Sequence, residues 1–285
     1  MAGGNYMISR LEPSRFSARQ GSDISGEDGD GHIGSIRLQT ADGFIIYGLT
    51  PEVNLIASVP FLNWDQEAAH EDSHHRTESV RGVGDVRLGV RWLARNQSFG
   101  PGTRLFLGTD LTLPSGKSYE VNPFSLQADL LQHRHFALGR GVTTSSLNFE
   151  WWHRSEFPLV LGASGKYDFS WSQSDLGYKP GQKVFLSLHA IRQTPVVRIF
   201  FPYVRINVRH EKSDIWEGMK ASNSGGTSIE GMLGMEVEIS ERISAVISVY
   251  TPVWRKLEGS QLDLVSVSLS IRRLWRRTVA PGSPD

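Results

Sequence analysis

Gly82-Val-Gly-Asp-Val-Arg-Leu-Gly-Val-Arg-Trp92 changes character at Asp85 and alternates strictly from there. Val86, Leu88, Val90 and Trp92 fall on one side, and Asp85, Arg87, Gly89 and Arg91 fall on the other. Successive side chains of a β-strand point to opposite faces, so this stretch is a strand with one apolar and one charged face. The pattern recurs. Leu105, Leu107, Thr109, Leu111 and Leu113 oppose Arg104, Phe106, Gly108, Asp110 and Thr112. Ile229, Leu233, Met235, Val237 and Ile239 oppose Glu230, Glu236 and Glu238, while Val265, Val267, Leu269 and Ile271 oppose Ser266, Ser268, Ser270 and Arg272. Helical periodicity is almost absent.

The connections between these runs alternate in length. Short turns are expected at 49–52, 96–102, 155–158, 193–196 and 240–242. Longer polar segments are expected at 21–31, 63–83, 115–143, 172–182, 212–227 and 255–261. Short turns at one rim and long loops at the other are the signature of a transmembrane barrel. The expected fold is all-β, an antiparallel up-and-down barrel of about twelve strands with both ends on the short-turn, periplasmic side. The strands run to about 9–12 residues, the length a tilted strand needs to cross a bilayer. The count treats 115–143 as one loop, although Phe124-Ser-Leu-Gln-Ala-Asp-Leu-Leu131 within it also reads as a strand or short helix. Proline is expected to mark strand ends or bulges at Pro60, Pro114, Pro202 and Pro252, with a change of phase at Pro202.

All eight tryptophans fall at or just beyond a strand end. Trp64, Trp171, Trp216 and Trp254 lie on the long-loop side, and Trp92, Trp151, Trp152 and Trp275 on the short-turn side. Indole favours the headgroup level, so two aromatic girdles are expected. The barrel is assigned to residues 1–275 and a periplasmic C-terminal tail to 276–285.

Composition narrows the functional classes. Thirty basic residues balance thirty acidic ones, and no strongly basic segment points to nucleic acid. The absence of cysteine removes disulfides, thiolate zinc sites and iron–sulfur clusters. No stretch reaches the roughly 18 apolar residues of a membrane helix. Residues 1–10 lack the basic start and apolar run of a signal peptide, so a barrel reading expects a leader ahead of this numbering or a misplaced start.

Alternation also suits a soluble β-sandwich or a lipocalin-like barrel. The charged face argues against both. Arg37, Arg87, Arg91, Arg104, Asp110, Glu150, Lys166, Asp168, Arg205, Arg209, Glu230, Glu236, Glu238 and Arg272 would all point inward. A dry core cannot desolvate so many ions cheaply, whereas a polar lumen can hold them. Two arrangements stay open. The arginines and carboxylates form opposed ladders across a conducting pore, or they close into an ion-pair network that fills the barrel.

Seven motifs, in order along the chain, resemble the family of outer-membrane barrels assigned to the MetA-pathway of phenol degradation. They are Tyr47-Gly-Leu-Thr-Pro51, Ser58-Val-Pro-Phe61, 82–92 as quoted above, Leu111-Thr-Leu-Pro-Ser-Gly-Lys117, Leu138-Gly-Arg-Gly141, Leu176-Gly-Tyr-Lys-Pro-Gly-Gln182 and Tyr250-Thr-Pro-Val253. The chain departs from the usual pattern at its end, where Arg276 to Asp285 follow Trp275. The resemblance implies an outer-membrane location and passage of small, aromatic or hydrophobic molecules.

Three further features bear on function. His70, His74 and His75 in an acidic loop form a candidate metal set, with His133 and His135 as further ligands. Solvated loop histidines are the commoner outcome. His189 and His210 lie in strands near serines, but no G-x-S-x-G motif accompanies them, so no enzyme is expected. No cofactor is expected. The functional expectation is a channel for small-molecule solutes in outer-membrane lipid, with 63–83 and 115–143 at the entrance. The alternative is a structural sleeve or anchor for a periplasmic or extracellular protein partner, such as an electron conduit.

Overall fold

Period-two alternation with one apolar face builds strands whose two sides face different solvents. The computed structural model describes residues 5–10, 34–68, 78–97, 101–121, 137–156, 158–196, 199–221, 224–258 and 265–274. They contain β1 (Asn5–Arg10), β2 (Gly34–Gly48), β3 (Val53–Ala68), β4 (Glu78–Val83), β5 (Arg87–Asn96) and β6 (Gly102–Thr112). Next come β7 (Thr144–Arg154), β8 (Leu159–Ser170), β9 (Tyr178–Lys179), β10 (Lys183–Arg192) and β11 (Phe200–Glu211). β12 (Ile215–Trp216), β13 (Met219–Lys220), β14 (Gly226–Ser240), β15 (Ile243–Leu257) and β16 (Ser266–Leu274) complete the set.

Thirteen of these form one antiparallel sheet, and it closes. β1 pairs with β2 on one side and with β16 on the other, so no edge remains. Closure satisfies every ladder, which is what permits a sheet to cross lipid. β4 and β5 lie end to end against β3, at 61–66 and 53–58 respectively. Counted as one stave, they make the ring twelve staves around. β1 enters and β16 leaves at the short-turn rim, since Asn5 pairs with Tyr47 and Arg273 with Ile243. The fold is thus an up-and-down transmembrane β-barrel.

The outer surface is a continuous apolar band. Leu88, Val90, Leu107, Leu111, Leu147, Leu161, Leu186, Leu188, Leu233, Ile247 and Val249 are all exposed. On a soluble protein so broad a patch would aggregate; in a bilayer it is the lipid contact.

The turns obey local chemistry. Leu49 N–H closes on Val53 O at 2.9 Å, and Thr50 Oγ accepts from the backbone N–H groups of Glu52 and Val53. Such a hydroxyl-capped turn needs no glycine.

Several expectations change. The 63–83 loop is shorter than its sequence suggests, because 63–68 extend β3 and 78–83 form β4. The 172–182 and 212–227 loops are partly ordered as a separate sheet, β9–β12–β13. Pro202 causes no phase change, since the β11–β14 register runs unbroken through Pro202↔Met235. The bulge falls instead beside Pro252, where Ile229 pairs with Trp254 and Glu230 with Pro252. A residue without an N–H cannot hold the ladder there, and Val253 is the extra residue. Between β6 and β7, 113–121 and 137–143 contain no strand. The 21–31 segment, the whole 124–131 run, Trp275 and the 276–285 tail lie outside the described residues, as do His70, His74, His75, His133 and His135.

Candidate functional site

The inner wall has two unlike halves. From β5 round to β14 it carries the charges. On the other half, from β15 through β16 to β3, the inner positions hold Val246, Ser248, Ser268, Ser270, Phe44, Ile46, Ile56 and Leu62. One side of the lumen is densely charged and the other mostly apolar or hydroxylic, with Asp42 sharing the inner parity of Phe44 and Ile46.

The charged half neutralises itself along the wall. Arg91 Nη2 meets Glu150 Oε2 at 2.7 Å, and Trp152 Nε1 donates to the same oxygen at 3.2 Å. Arg91 also lies 3.9 Å above the ring of Phe106, a cation–π contact. Lys166 pairs with Asp168 at 2.9 Å, and Asn148 donates to Asp110 at 3.1 Å. Lys183 pairs with Glu211, and Ser146 donates to Asp168. Arg205 donates to the hydroxyl of Tyr250 at 3.0 Å. These partners sit on one strand or on strands at most two places apart, and not across the lumen, so they do not form two opposed ladders. Arg209 and Glu230 belong to the adjacent staves β11 and β14, where Glu230 pairs with Asn207 and Arg209 with Ser228. Glu236 and Glu238 lie lower on β14, towards the short turns, and Arg87 sits opposite Thr112.

The side chains of Arg37 and Arg272, both expected in the lumen, lie outside the described ones. In the ladder Arg37 is the partner of Asp65. Arg272 is the partner of Ser244.

The tryptophans divide by function. Trp92, Trp151, Trp171 and Trp254 are exposed on the outer surface near the two rims. Trp64 and Trp152 instead have inner parity, because each lies an odd number of residues from its outward neighbours Phe61 and Trp151. Trp216 is buried in the loop crown. Position along a strand was readable from sequence, but a two-residue Trp-Trp run must send one ring each way.

Trp152 owes its place to a glycine. Its indole leans over Gly162, its direct partner across the β7–β8 ladder, into the space a Cβ would fill. The arrangement repeats at Gly89 under Asp110, Gly108 under Asn148 and Gly234 under Tyr203, each a direct cross-strand pair. Glycine opposite a large inner side chain lets that chain lie along the wall instead of across the lumen.

A cavity of about 310 Å³ opens at the short-turn end of the lumen. Gln97, Gly102, Arg104, Phe106, Trp152, Arg154, Val160 and Gln193 line it. At the same half of the wall, Ser164 and His189 Nε2 are 3.1 Å apart, with Trp152 packed 5.0 Å from the imidazole. Arg205 is the cross-strand partner of His189, and its charge opposes the imidazolium that a nucleophile–base pair must form.

At the opposite rim, two loop elements are tied to the wall. Asp85 interrupts the stave between β4 and β5 and accepts from the backbone N–H groups of Gly116 and Arg140, at 3.0 and 2.8 Å. Ser115 Oγ accepts from Val86 N–H at 2.8 Å, and Leu138 is buried against Gly82, Gly84 and Leu62. Gly84, Gly116 and Gly139 pack backbone to backbone with no room for a Cβ. The motifs at 82–92, 111–117 and 138–141 therefore meet at one point. Sequence reasoning saw them only as an ordered set.

Beside this junction stands the small sheet β9–β12–β13. Glu217 and Gly218 both take positive φ, at 49° and 82°, which makes the tight turn between β12 and β13. Trp216 is clasped by Tyr178 at 4.6 Å and Tyr119 at 5.5 Å between ring centres. Asp214 accepts from the Tyr178 hydroxyl at 3.1 Å and from Gly181 N–H at 2.7 Å. Burial, with the Asp214 charge beside it, pushes the Tyr119 hydroxyl up to about 12 and the Tyr178 hydroxyl higher still. A cavity of about 90 Å³ lies between this cluster and Arg140.

No protein-family model matches the chain, and no curated protein sequence matches it. Solved structures do. The COG4313 outer membrane channel from Pseudomonas putida F1 superposes with a TM-score of 0.65 at 11% identity, over 96% of this chain and 94% of that one. The β domain of the Bordetella autotransporter BrkA gives 0.46 at 10% identity, over 97% and 99%. The P. putida toluene transporter TodX gives 0.40 at 12% identity, over 95% and 76%. At these identities the likeness is one of fold, and it is the fold of an outer-membrane β-barrel.

Proposed function

We propose that this chain is an outer-membrane channel for small molecules that are part aromatic or hydrophobic and part polar. The observation that carries the reading is the two-sided lumen. A uniformly charged wall favours hydrated ions, and a uniformly apolar wall stays dry. A wall densely charged on β5–β14 and mostly apolar or hydroxylic opposite offers both faces of an amphiphilic solute a partner. Phe106, Trp152, Phe185 and Tyr203, all at inner positions, add aromatic surface to the charged half, and Tyr250 borders it on β15. The shared fold with an outer membrane channel is compatible with this reading, and so is the motif resemblance to the MetA-pathway barrels. On the same reading the Ser164–His189 pair lines the path and catalyses nothing, and the bound partners are lipid and solute.

Purified barrel in planar bilayers and in proteoliposomes tests this. Discrete conductance steps are expected, with faster entry of benzyl alcohol than of a sugar of similar mass. A silent barrel with no solute preference would instead mean that the ion pairs merely fill the interior. The sealed inner side chains Ser228, Met232 and Ser248 are what such a structural barrel would also show.

A further inference from the structure

The cavity at the short-turn rim has a composition that the amphiphilic wall alone does not require. Arg104 and Arg154 both line it, and no carboxylate does. Glu150, the nearest inner acid on β7, is already engaged by Arg91 and by the Trp152 indole. Arg104 has neither an ion pair nor a hydrogen bond from its guanidinium among the described residues. Arg154 is held through Nε by Gln193 Oε1 at 2.9 Å, which orients the guanidinium and leaves its terminal amino groups for a ligand. A planar guanidinium matches a carboxylate with two parallel hydrogen bonds.

The apolar wall of the same cavity is preformed. Trp152 is fixed by its bond to Glu150 and by its seat over Gly162, and Phe106 is fixed under Arg91. Their rings supply flat surface at low entropic cost on binding. The volume, about 310 Å³, is at the lower end of small-ligand pockets, so it suits a single ring and not a fused system.

We propose that this cavity is a binding subsite for monocyclic aromatic carboxylates, with the carboxylate on Arg104 and Arg154 and the ring against Phe106 and Trp152. The subsite rests on the channel reading only for its role as an exit station; binding itself requires just the folded barrel. It gives the periplasmic end of the lumen a preference for anions with an aromatic body over neutral aromatics and over small inorganic anions.

Calorimetry on the intact, detergent-solubilised barrel with sodium benzoate is the direct test, with sodium acetate and benzyl alcohol as partial ligands. Benzoate is expected to bind at least tenfold more tightly than either. Arg104→Gln is expected to weaken benzoate binding at least tenfold, and Arg154→Gln to do likewise, with heat-modifiable gel migration showing that each variant still forms the barrel. Unchanged benzoate affinity in folded Arg104→Gln overturns the proposal, as does acetate binding equal to benzoate. The two readings separate cleanly. A barrel that conducts but ignores benzoate loses the subsite and keeps the channel. One that binds benzoate but stays silent in bilayers keeps the subsite and loses the channel.

Discussion

The backbone N–H of Arg140 donates to Asp85 Oδ2 at 2.8 Å, joining two residues 55 positions apart. The same carboxylate takes Gly116 N–H, so one side chain holds both limbs of the β6–β7 connection against the broken stave. Hydrogen bonds to a charged acceptor are each worth about 1.5–3 kcal/mol. Asp85→Ala is expected to free this connection at the long-loop rim without opening the barrel. Protease should cut within 115–143 faster in the variant, while gel migration of the folded barrel stays unchanged. Equal cutting rates would show that the loop is held by other contacts.

Gly162→Val should displace Trp152 from the wall into the lumen, because the indole occupies the space of the added side chain. The expected result is a narrower short-turn exit: lower single-channel conductance and loss of the Trp152–Glu150 hydrogen bond. The double variant Gly162→Val, Trp152→Ala should recover conductance. Failure to recover would mean that the valine disturbs the ladder itself.

Arg91 and Glu150 are about a quarter and a third exposed, so their ion pair lies between surface and buried regimes. Glu150→Gln is expected to cost about 2 kcal/mol, more than an exposed pair and less than a buried one. Urea unfolding from liposomes reads this. Replacing both partners, by Arg91→Met with Glu150→Gln, should cost less than the sum of the single changes, since no charge is left unpaired.

The outer band predicts a position-dependent lipid cost. Leu147, 55% exposed and midway along β7, faces the hydrocarbon. Leu147→Arg should destabilise the barrel by about 2–4 kcal/mol. The same change at Trp151, nearer the headgroups, should cost clearly less. Equal costs would argue against a membrane centred on these residues.

The crown should be insensitive to moderately alkaline pH. Tyr119 ionises near 12 in the folded protein, against 10.0 for a free tyrosine, because burial disfavours the phenolate. A raised pKa means that stability is complete below pH 10.0 and falls as pH rises towards 12. Tyrosinate absorbance should therefore show Tyr119 silent at pH 10 in the wild type. Trp216→Ala, which opens the cluster, should bring its titration down.

Much of this architecture is local and therefore written along the chain. Alternation at 85–92, 104–113 and 265–272 specifies two-faced strands, and the rhythm of short and long connections specifies an up-and-down order. Together they led to twelve staves, because hairpin pairing of neighbours needs nothing beyond sequence adjacency. The same alternation led to the set of charges expected on the second face.

What only the tertiary structure decided is how these faces are used. Alternation states that Trp151 and Trp152 point apart, but not that Trp152 is the inner one resting on Gly162; that depends on the register between β7 and β8. It states that arginines and carboxylates share a face, but not that they pair along the wall and leave Arg104 beside Arg154 in a cavity. Closure of the ring sets which strands are neighbours and so which charges cancel. Likewise, the motifs around Asp85, Gly116 and Arg140 are distant in the chain, and only the folded loop makes them one junction. Side-chain direction is a property of single strands, whereas pairing and enclosure belong to the closed sheet.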